Sequence, residues 1–403
     1  MAQPAQPAPT RLASRIAAME PSPTVSIDGR AKELRQQGVD IVNFSAGEPD
    51  FPTPDNVKEA AKRAIDANQT RYTPVAGTPE LRAAVAAKLR RQNGLNYEPS
   101  EIMISNGGKQ ALYCAFMALC EPGDEAIIIA PYWVTYPEQA RLAGATPVFA
   151  RADATRGFHI GREQIEALIT PRTRVLVVNS PSNPSGAVLT REELQGIAEL
   201  AQERDLWVIS DEIYEHLVYD GREHVSLASF PGMKERTVLI NGLSKAYAMT
   251  GWRMGYAAAP KAVIEAMVAL QGHVSHGPSS ISQAAAVEAL NGPQDSVAAM
   301  VAAYDERRKQ IVERLNQLPE VRCAEPEGAF YVFADFSAWI GERTGLATDI
   351  ELAAYLLEEA KVALVPGTGF GWPGYLRLSY ATSLEQIHEG MDRIARALGK
   401  LRN

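Results

Sequence analysis

The chain has 403 residues, of which 46% are hydrophobic, 22% charged and 7% aromatic. This length is well above that of a typical domain, which is roughly 150 residues. Together with the composition, it excludes a small domain held by disulfides or metals, a disordered polymer, a collagen-like fibre and a coiled coil. Forty lysines and arginines against 48 aspartates and glutamates give a net charge of −8, which argues against nucleic acid and anionic membrane surfaces as partners.

The N-terminal residues and the cysteines indicate the cellular compartment of the protein. Residues 1–9 repeat Ala, Gln and Pro without large apolar side chains, so we predict a disordered tail over 1–14. No stretch approaches the roughly 18 apolar residues of a membrane span, and the start lacks the order of a secretory signal. Three cysteines without metal-ligand spacing favour a reducing compartment. We therefore predict a cytoplasmic protein with buried thiols, no metal and no membrane partner.

Short aliphatic runs alternate with longer amphipathic segments through the middle of the chain, which is typical of parallel strands with crossover helices. The runs predicted as strands are 126–130, 175–178, 206–209 and 237–240. Capping signals at Thr190 and Pro79 predict the starts of two helices, and a third helix is predicted over 110–119.

After Gly292 the pattern changes to one long amphipathic helix over 295–318, followed by strand-like pieces at 329–334 and 375–379. We predict an α/β fold whose large domain has a mostly parallel central sheet sandwiched by helices, with a smaller α+β domain built from both chain ends. The predicted divisions are a tail 1–14, an N-terminal segment 15–55 joining the small domain, a large domain 56–300 and a small C-terminal domain 301–403.

Polar residues follow three of the predicted strands. Asn183 follows the second strand, Asp211 and Tyr214 the third, and Lys245 the fourth. Ligands of open α/β sheets bind beyond the carboxyl ends of the strands, so these side chains are expected to converge. Upstream, Gly107, Gly108 and Lys109 stand at the start of a predicted helix, where free N–H groups favour a phosphate. A lysine, a carboxylate, donors for a phenolic oxygen and a phosphate cradle are what pyridoxal phosphate requires.

Each of these features has an ordinary alternative when taken alone. A lysine in a Gly-Gly-Lys loop is commonly a solvated surface residue, and an Asp after a strand is commonly a helix cap. Trp133 could be a core aromatic residue, and Arg377 could be the outward residue of an edge strand.

The motifs together resemble the class I aminotransferases, fold-type I pyridoxal-phosphate enzymes, in their bacterial aspartate aminotransferase branch. The similarity runs from about Arg15 to the C-terminus. The segments that carry it are 45–51, 72–74, 107–112, 131–134, 179–186, 210–216, 244–253 and 377–381.

The resemblance implies a role for each cofactor-site residue. Lys245 would bind the cofactor covalently and move the substrate proton. Asp211 would pair with the ring nitrogen, and Tyr214 would bond the phenolic oxygen together with Asn183. Lys245, Asp211 and Tyr214 are the catalytic residues implied in this way. Trp133 would stack on the ring, and Tyr72 would reach the phosphate of the neighbouring subunit in a homodimer with active sites at the interface. The cofactor-binding set implied in this way is Gly107, Gly108, Lys109, Trp133, Asn183, Asp211, Tyr214, Ser244, Lys245, Arg253 and Tyr72.

For the substrate, the resemblance implies that Arg377 takes the α-carboxylate with help from Gly47, Trp133 and Asn183, and that Lys109 meets the distal carboxylate of aspartate or glutamate. The expected reaction is L-aspartate plus 2-oxoglutarate to oxaloacetate plus L-glutamate, in two half-reactions. Where some relatives carry a basic residue, this chain has Glu20, which argues against prephenate as a substrate and could weaken dicarboxylate binding.

Other functions remain open on the sequence alone. On the same fold, the chain could be an aminotransferase for aromatic amino acids, alanine, kynurenine or prephenate, or a lyase. A transcription regulator would need a DNA-binding module, which residues 1–11 are too short to form. A nicotinamide dehydrogenase is disfavoured because residues 367–371 lack the spacing and setting of a dinucleotide fingerprint. The six histidines form no convincing zinc set.

Overall fold

The computed structural model describes residues 12–17, 19 and 23–402, with only the backbone of residues 23–26. Most of the predicted tail 1–14, and Glu20, lie outside the described residues.

Helices alternate with strands along most of the described chain. The helices are α1 (Ser14–Ala17), α2 (Pro23–Gln36), α3 (Asp55–Asp66), α4 (Pro79–Asn93), α5 (Gly108–Leu119), α6 (Thr135–Leu142), α7 (Arg162–Glu166), α8 (Arg191–Glu203), α9 (Lys261–Val274), α10 (Ser280–Asn291), α11 (Asp295–Gln317), α12 (Asp349–Tyr355) and α13 (Leu384–Leu401). The strands are β1 (Val42–Asn43), β2 (Ile102–Asn106), β3 (Glu125–Ala130), β4 (Thr146–Arg151), β5 (Thr173–Asn179), β6 (Trp207–Asp211), β7 (Thr237–Gly242), β8 (Met254–Ala258), β9 (Arg322–Cys323), β10 (Tyr331–Asp335), β11 (Val362–Ala363), β12 (Val365–Pro366) and β13 (Tyr375–Ser379).

Local sequence signals set several of these boundaries. The hydroxyl of Thr190 accepts a hydrogen bond from the Glu193 N–H, and the Glu193 carboxylate accepts one from the Thr190 N–H, so a capping box begins α8. Thr78 caps α4 in the same sense, with Pro79 at the first helical position. Gly94 ends α4 with φ of 67°, a left-handed conformation that glycine adopts without strain.

The central sheet has seven strands in the order β2-β8-β7-β6-β5-β3-β4. Strands β3 to β7 run parallel to one another, whereas β8 is antiparallel to both β2 and β7. Successive residues of β5 face opposite sides: Val177 packs in the core that contains Leu112 of α5, and Leu176 packs in the core that contains Leu194 of α8. Helices therefore cover both faces at β5, which explains why residues 175–178 are aliphatic on both sides of the strand.

A second sheet lies in the C-terminal part, with four antiparallel strands in the order β12-β13-β10-β9. The N-terminal part packs with this C-terminal part, because β1 and β11 form a separate two-stranded parallel sheet through Val42 and Val362, and α2 packs near β11 and β12. The α/β fold with a smaller α+β unit built from both chain ends is thereby confirmed. The boundary predicted at 300/301 falls inside α11, and the exact domain divisions stay a prediction.

Two further sequence predictions concern the whole chain. Cys114, Cys120 and Cys323 are free and buried, as expected for reduced thiols. Among the described residues, none of the helices combines the length and apolar character that crossing a bilayer requires. The cytoplasmic location stays a prediction.

Candidate active site

Three neighbouring parallel strands deliver polar residues to one edge of the central sheet. Asn179 ends β5 opposite Asp211, which ends β6, and Lys245 follows the end of β7. A cavity of about 410 Å³ opens beside these ends and reaches β13 and α2. Of the predicted site residues, it is lined by Gly47, Gly108, Lys109, Trp133, Asn183, Asp211, Tyr214, Ser244, Lys245, Arg253 and Arg377.

Lys245 stands in this cavity with its ammonium group donating to the carbonyl oxygen of Gly47. Removal from water lowers the pKa of Lys245 to about 8; Glu48 opposes this shift, while Arg377 and Arg253 add to it. A lysine with a lowered pKa has a larger fraction of nucleophilic free amine near neutral pH.

Asp211 is buried, and burial raises the pKa of its carboxyl group to about 6. Two donors oppose that shift. The hydroxyl of Tyr136 donates to Oδ2 at 2.7 Å, and the backbone N–H of Ile213 donates to Oδ1 at 3.2 Å. The carboxylate is therefore held in a fixed orientation at the cavity wall.

Asn183 and Tyr214 lie on the same side of the cavity. The Asn183 N–H donates to Oδ1 of Asn179 at 3.0 Å, which anchors the loop after β5 to the end of that strand. The hydroxyl of Tyr214 lies 2.9 Å from that of Tyr331, and burial raises the pKa of Tyr214. Tyr331 comes from β10, so the second sheet completes this wall.

The N-terminus of α5 forms another wall. Gly107 precedes the helix with φ of 79°, and a Cβ at that position would lie 2.5 Å from Nη2 of Arg253. Ser244 is buried nearby along the cavity. The first N–H groups of a helix have no partner within the helix, so this end can bind an anion.

Arg377 is not the outward residue of an edge strand. It lies on β13, between β12 and β10, and is 2% exposed. Nη1 donates to Oδ1 of Asn183 at 3.0 Å and Nη2 to the carbonyl oxygen of Ser45 at 2.8 Å, while the buried Nε has no partner in the structure. A buried guanidinium with spare donors and no paired carboxylate is suited to an anionic ligand.

Lys109 and Trp133 stand together at the cavity. The ammonium nitrogen of Lys109 lies 4.8 Å from the centre of the Trp133 ring. The exposed Lys109 side chain has no carboxylate partner among the described ion pairs, so its charge is free to meet a ligand.

Two of the predicted site residues are not among those that line the cavity. Gly107 adjoins Arg253 but is not itself among the cavity-lining residues. Tyr72 is 93% exposed, packs edge-on to His276 at 5.0 Å and lines a separate surface depression. The prediction for Tyr72 is that it reaches the phosphate of a neighbouring subunit, and the structure of a single chain does not test it.

Sequence reasoning missed several residues that line the cavity, namely Asp28, Lys32, Glu48, Tyr136 and Tyr331. A signal existed for Tyr136, which follows Trp133 by three residues at a helix entry and so shares its face. Asp28 and Lys32 come from α2, and they reach the cavity only because α2 packs against the C-terminal part of the chain.

A buried polar cluster lies close behind Asp211. The ligand atoms of Glu212, Glu215 and His224 lie within 4.8 Å of one another, a geometry that could hold a metal ion. The ammonium group of Lys88 already pairs with Glu215, however, and Nε2 of His224 lies 2.9 Å from Glu212. With its charge already met by side chains, this cluster gives no support for a metal.

The described residues fit pyridoxal phosphate. The lysine amine, the buried carboxylate and the helix terminus face one cavity, and the lack of a Cβ at Gly107 lets the guanidinium of Arg253 approach the start of α5. The ring could lie against Trp133, and its nitrogen could meet Asp211, because both line the same cavity.

Comparisons with known proteins identify the family of this chain. The profile of the family Aminotransferase class I and II matches residues 39–394. Among similar proteins, an aspartate aminotransferase of Streptomyces avermitilis is 47% identical, covering 98% of each chain, and an aspartate/prephenate aminotransferase of Cereibacter sphaeroides is 48% identical, covering 95% of this chain and 97% of its own.

A solved structure also matches the fold. The aspartate aminotransferase of Thermus thermophilus with maleate is 47% identical, with a TM-score of 0.91, covering 96% of this chain and 99% of the other. The family profile matches most of the chain, and the alignments with these relatives cover nearly all of both chains. The chain therefore belongs to the class I and II aminotransferases, and pyridoxal 5'-phosphate is its cofactor.

Proposed function

We propose that this chain transfers the amino group of L-aspartate to 2-oxoglutarate, giving oxaloacetate and L-glutamate. The observation that carries the proposal is that Arg377 and Lys109, which form no ion pair with a carboxylate of the described residues, line one cavity with Lys245. A dicarboxylic substrate carries two negative groups, and each cation can take one of them.

The comparisons support the same substrate class. The relatives from Streptomyces avermitilis and Thermus thermophilus are named aspartate aminotransferases, and the second was solved with maleate, a dicarboxylate. The relative from Cereibacter sphaeroides is named for prephenate as well.

Pyridoxal phosphate, when bound, supplies an aldehyde for the amino group and a ring that takes up the electron pair left at Cα. Lys245 would hold that aldehyde and, as a free amine, would take the proton from the substrate Cα. Asp211 keeps a proton on the ring nitrogen, and Asn183 and Tyr214 donate to the phenolic oxygen. Together these three residues set the charge of the ring.

Binding of the substrate and the phosphate falls to other residues. Arg377, already oriented by Asn183 and Ser45, would hold the α-carboxylate in the cavity that Lys245 also lines. Trp133 covers the ring, while Ser244, Arg253 and the N–H groups at Gly107 and Gly108 hold the phosphate.

Replacing the distal cation tests the substrate class. In Lys109→Met we expect kcat/KM for aspartate to fall about 30-fold, because one charged hydrogen bond is lost, with little change for alanine. Lys62→Met, at an exposed lysine of α3, is the matched control and should behave as wild type.

A panel with the wild-type enzyme decides among substrates. Alanine, phenylalanine and kynurenine are tried as donors and prephenate as an acceptor, beside aspartate with 2-oxoglutarate. Failure to form oxaloacetate, or a higher kcat/KM for another pair, would sink the aspartate proposal while leaving the family unchanged.

We further propose that the active unit is a homodimer in which Tyr72 of each chain serves the phosphate site of the other. Its support is the exposed position of Tyr72, away from the cavity of its own chain. In hybrid dimers of Lys245→Ala and Tyr72→Phe chains, one site regains both residues and should bind the cofactor with wild-type affinity. If every Lys245-bearing site keeps the weakened affinity, Tyr72 acts within its own chain.

A further inference from the structure

Tyr136 is a buried phenol that hydrogen-bonds to Asp211. It lies on α6, is 2% exposed, and donates its hydroxyl hydrogen to Oδ2 of Asp211 at 2.7 Å. Its ring meets Trp133 edge-on, with ring centres 5.5 Å apart and planes at 81°. One side chain therefore contacts both the residue expected above the cofactor ring and the residue expected at its nitrogen.

Several charged and titratable groups act on the Asp211 carboxyl group. Burial and the neighbouring Glu212 raise its pKa, whereas Tyr136, the N–H of Ile213 and the ammonium of Lys245 lower it. Tyr214 also lies close enough to be affected by the carboxylate. Of these, Tyr136 supplies the strongest opposition to burial.

The phenol of Tyr136 is suited to remain a donor. Burial and the adjacent Asp211 raise its pKa well above the ordinary value, so it keeps its proton throughout the physiological range. A donor of this kind stabilises the ionised carboxylate and leaves the other carboxylate oxygen available to a second partner.

We infer that Tyr136 is a positioning residue, which acts through Asp211 to keep that carboxylate ionised and aimed at the cofactor ring nitrogen. The inference rests on the proposed pairing of Asp211 with that nitrogen and is independent of which amino donor the enzyme uses. Without the hydroxyl, the carboxyl group becomes more basic and takes a larger share of the proton between it and the ring.

The test is Tyr136→Phe, which removes the hydroxyl and keeps the ring against Trp133. Holoenzyme is prepared with cofactor labelled with nitrogen-15 in the ring, and the chemical shift of that nitrogen is followed against pH. We expect the shift to move toward the unprotonated value, kcat to fall about tenfold and the cofactor dissociation constant to rise.

Tyr97→Phe is the matched control, because Tyr97 is equally buried and its hydroxyl has no partner in the structure. It should leave the nitrogen signal unchanged. An unchanged signal in Tyr136→Phe, or equal changes in both variants, would overturn the inference.

A second variant strengthens the contact instead of removing it. Fluorotyrosine at position 136 has a more acidic phenol and donates more strongly, so the nitrogen signal should move toward the protonated value. A shift in the same direction as that of Tyr136→Phe would also overturn the inference. If aspartate proved not to be a donor, the proposed function would fail, but the expected changes in the nitrogen-15 signal would be the same.

Discussion

Lys245 and Asp211 show how one cavity shifts two ionisable groups in opposite senses. Removal from water disfavours the charged form of each group, so it lowers the pKa of Lys245 to about 8 and raises that of Asp211 to about 6. Glu48 works against the shift of the lysine. The side chain of Glu48 accepts the Thr250 hydroxyl at 2.9 Å and lines the same cavity.

We expect Glu48→Gln to move the pH dependence of cofactor uptake by the apoenzyme to lower pH. Only the neutral amine of Lys245 reacts, so the uptake rate rises as pH increases through its pKa, near 8 in the wild type. Loss of the Glu48 charge lowers that pKa further. The rate is measured by stopped-flow absorbance across the pH range.

Glu59→Gln, at an exposed carboxylate on α3, is the control for the loss of one negative charge. An unchanged midpoint in Glu48→Gln, or an equal movement in the control, would contradict this assignment.

At the scale of elements, the start of α5 depends on one glycine. Gly107 takes a positive φ of 79° directly before the helix and leaves room for the guanidinium of Arg253. Arg253 is held there by donating to the carbonyl oxygen of Thr250 at 2.8 Å. The loop, the helix terminus and the arginine thus form one recess.

Gly107→Ala should weaken cofactor binding about tenfold or more, because the new Cβ displaces Arg253 and a charged hydrogen bond is lost. It should also cost about 1–3 kcal/mol of unfolding free energy, because φ of 79° with ψ of 163° is a backbone conformation that is essentially restricted to glycine. The dissociation constant is measured by equilibrium dialysis and the stability by urea unfolding.

Gly123→Ala separates these two effects. Gly123 also has a positive φ, of 104°, but a Cβ there would meet nothing within 4 Å. We expect the strain without the loss of affinity. Equal cofactor affinity in the two variants would show that the recess beside Gly107 has no part in binding.

At the scale of the whole molecule, His159 joins distant parts of the chain. Nδ1 lies 2.8 Å from Glu193, at the start of α8, and Nε2 lies 3.1 Å from Glu327, which precedes β10. Hydrogen bonds to Glu193 and Glu327 raise the pKa of His159 from 6.5 to about 9. The protonated ring therefore bridges the layer of helices on the central sheet and the segment leading into the second sheet.

Since the folded-state pKa of His159 exceeds the ordinary value, its contribution to stability is fully present below about 6.5 and is lost as pH rises through about 9. We expect the melting temperature of the wild type to fall over this interval more steeply than that of His159→Gln. Differential scanning calorimetry at a series of pH values measures the difference.

His273→Gln, at an exposed histidine of α9, should keep the wild-type slope. Parallel curves for the wild type and His159→Gln would show that the bridge adds no stability that depends on pH.

The sequence alone determined four of the seven strands of the central sheet, the order of the polar residues and the family. Strands β5, β6 and β7 are aliphatic on both faces, and capping residues fix α4 and α8, so local patterns sufficed for these elements. Asn183, Asp211 and Lys245 could be grouped because the carboxyl ends of parallel strands share one sheet edge.

Only the tertiary structure decided which residues complete the cavity and how they are charged. Arg377 has the local sequence of an exposed strand residue, yet pairing on both sides of β13 buries it. Glu48, Tyr136 and Tyr331 reach the cavity from three separate segments, and their contacts depend on long-range packing that no local pattern encodes. The pKa values of Lys245 and Asp211 likewise depend on burial and on distant charges, which exist only once the chain has folded.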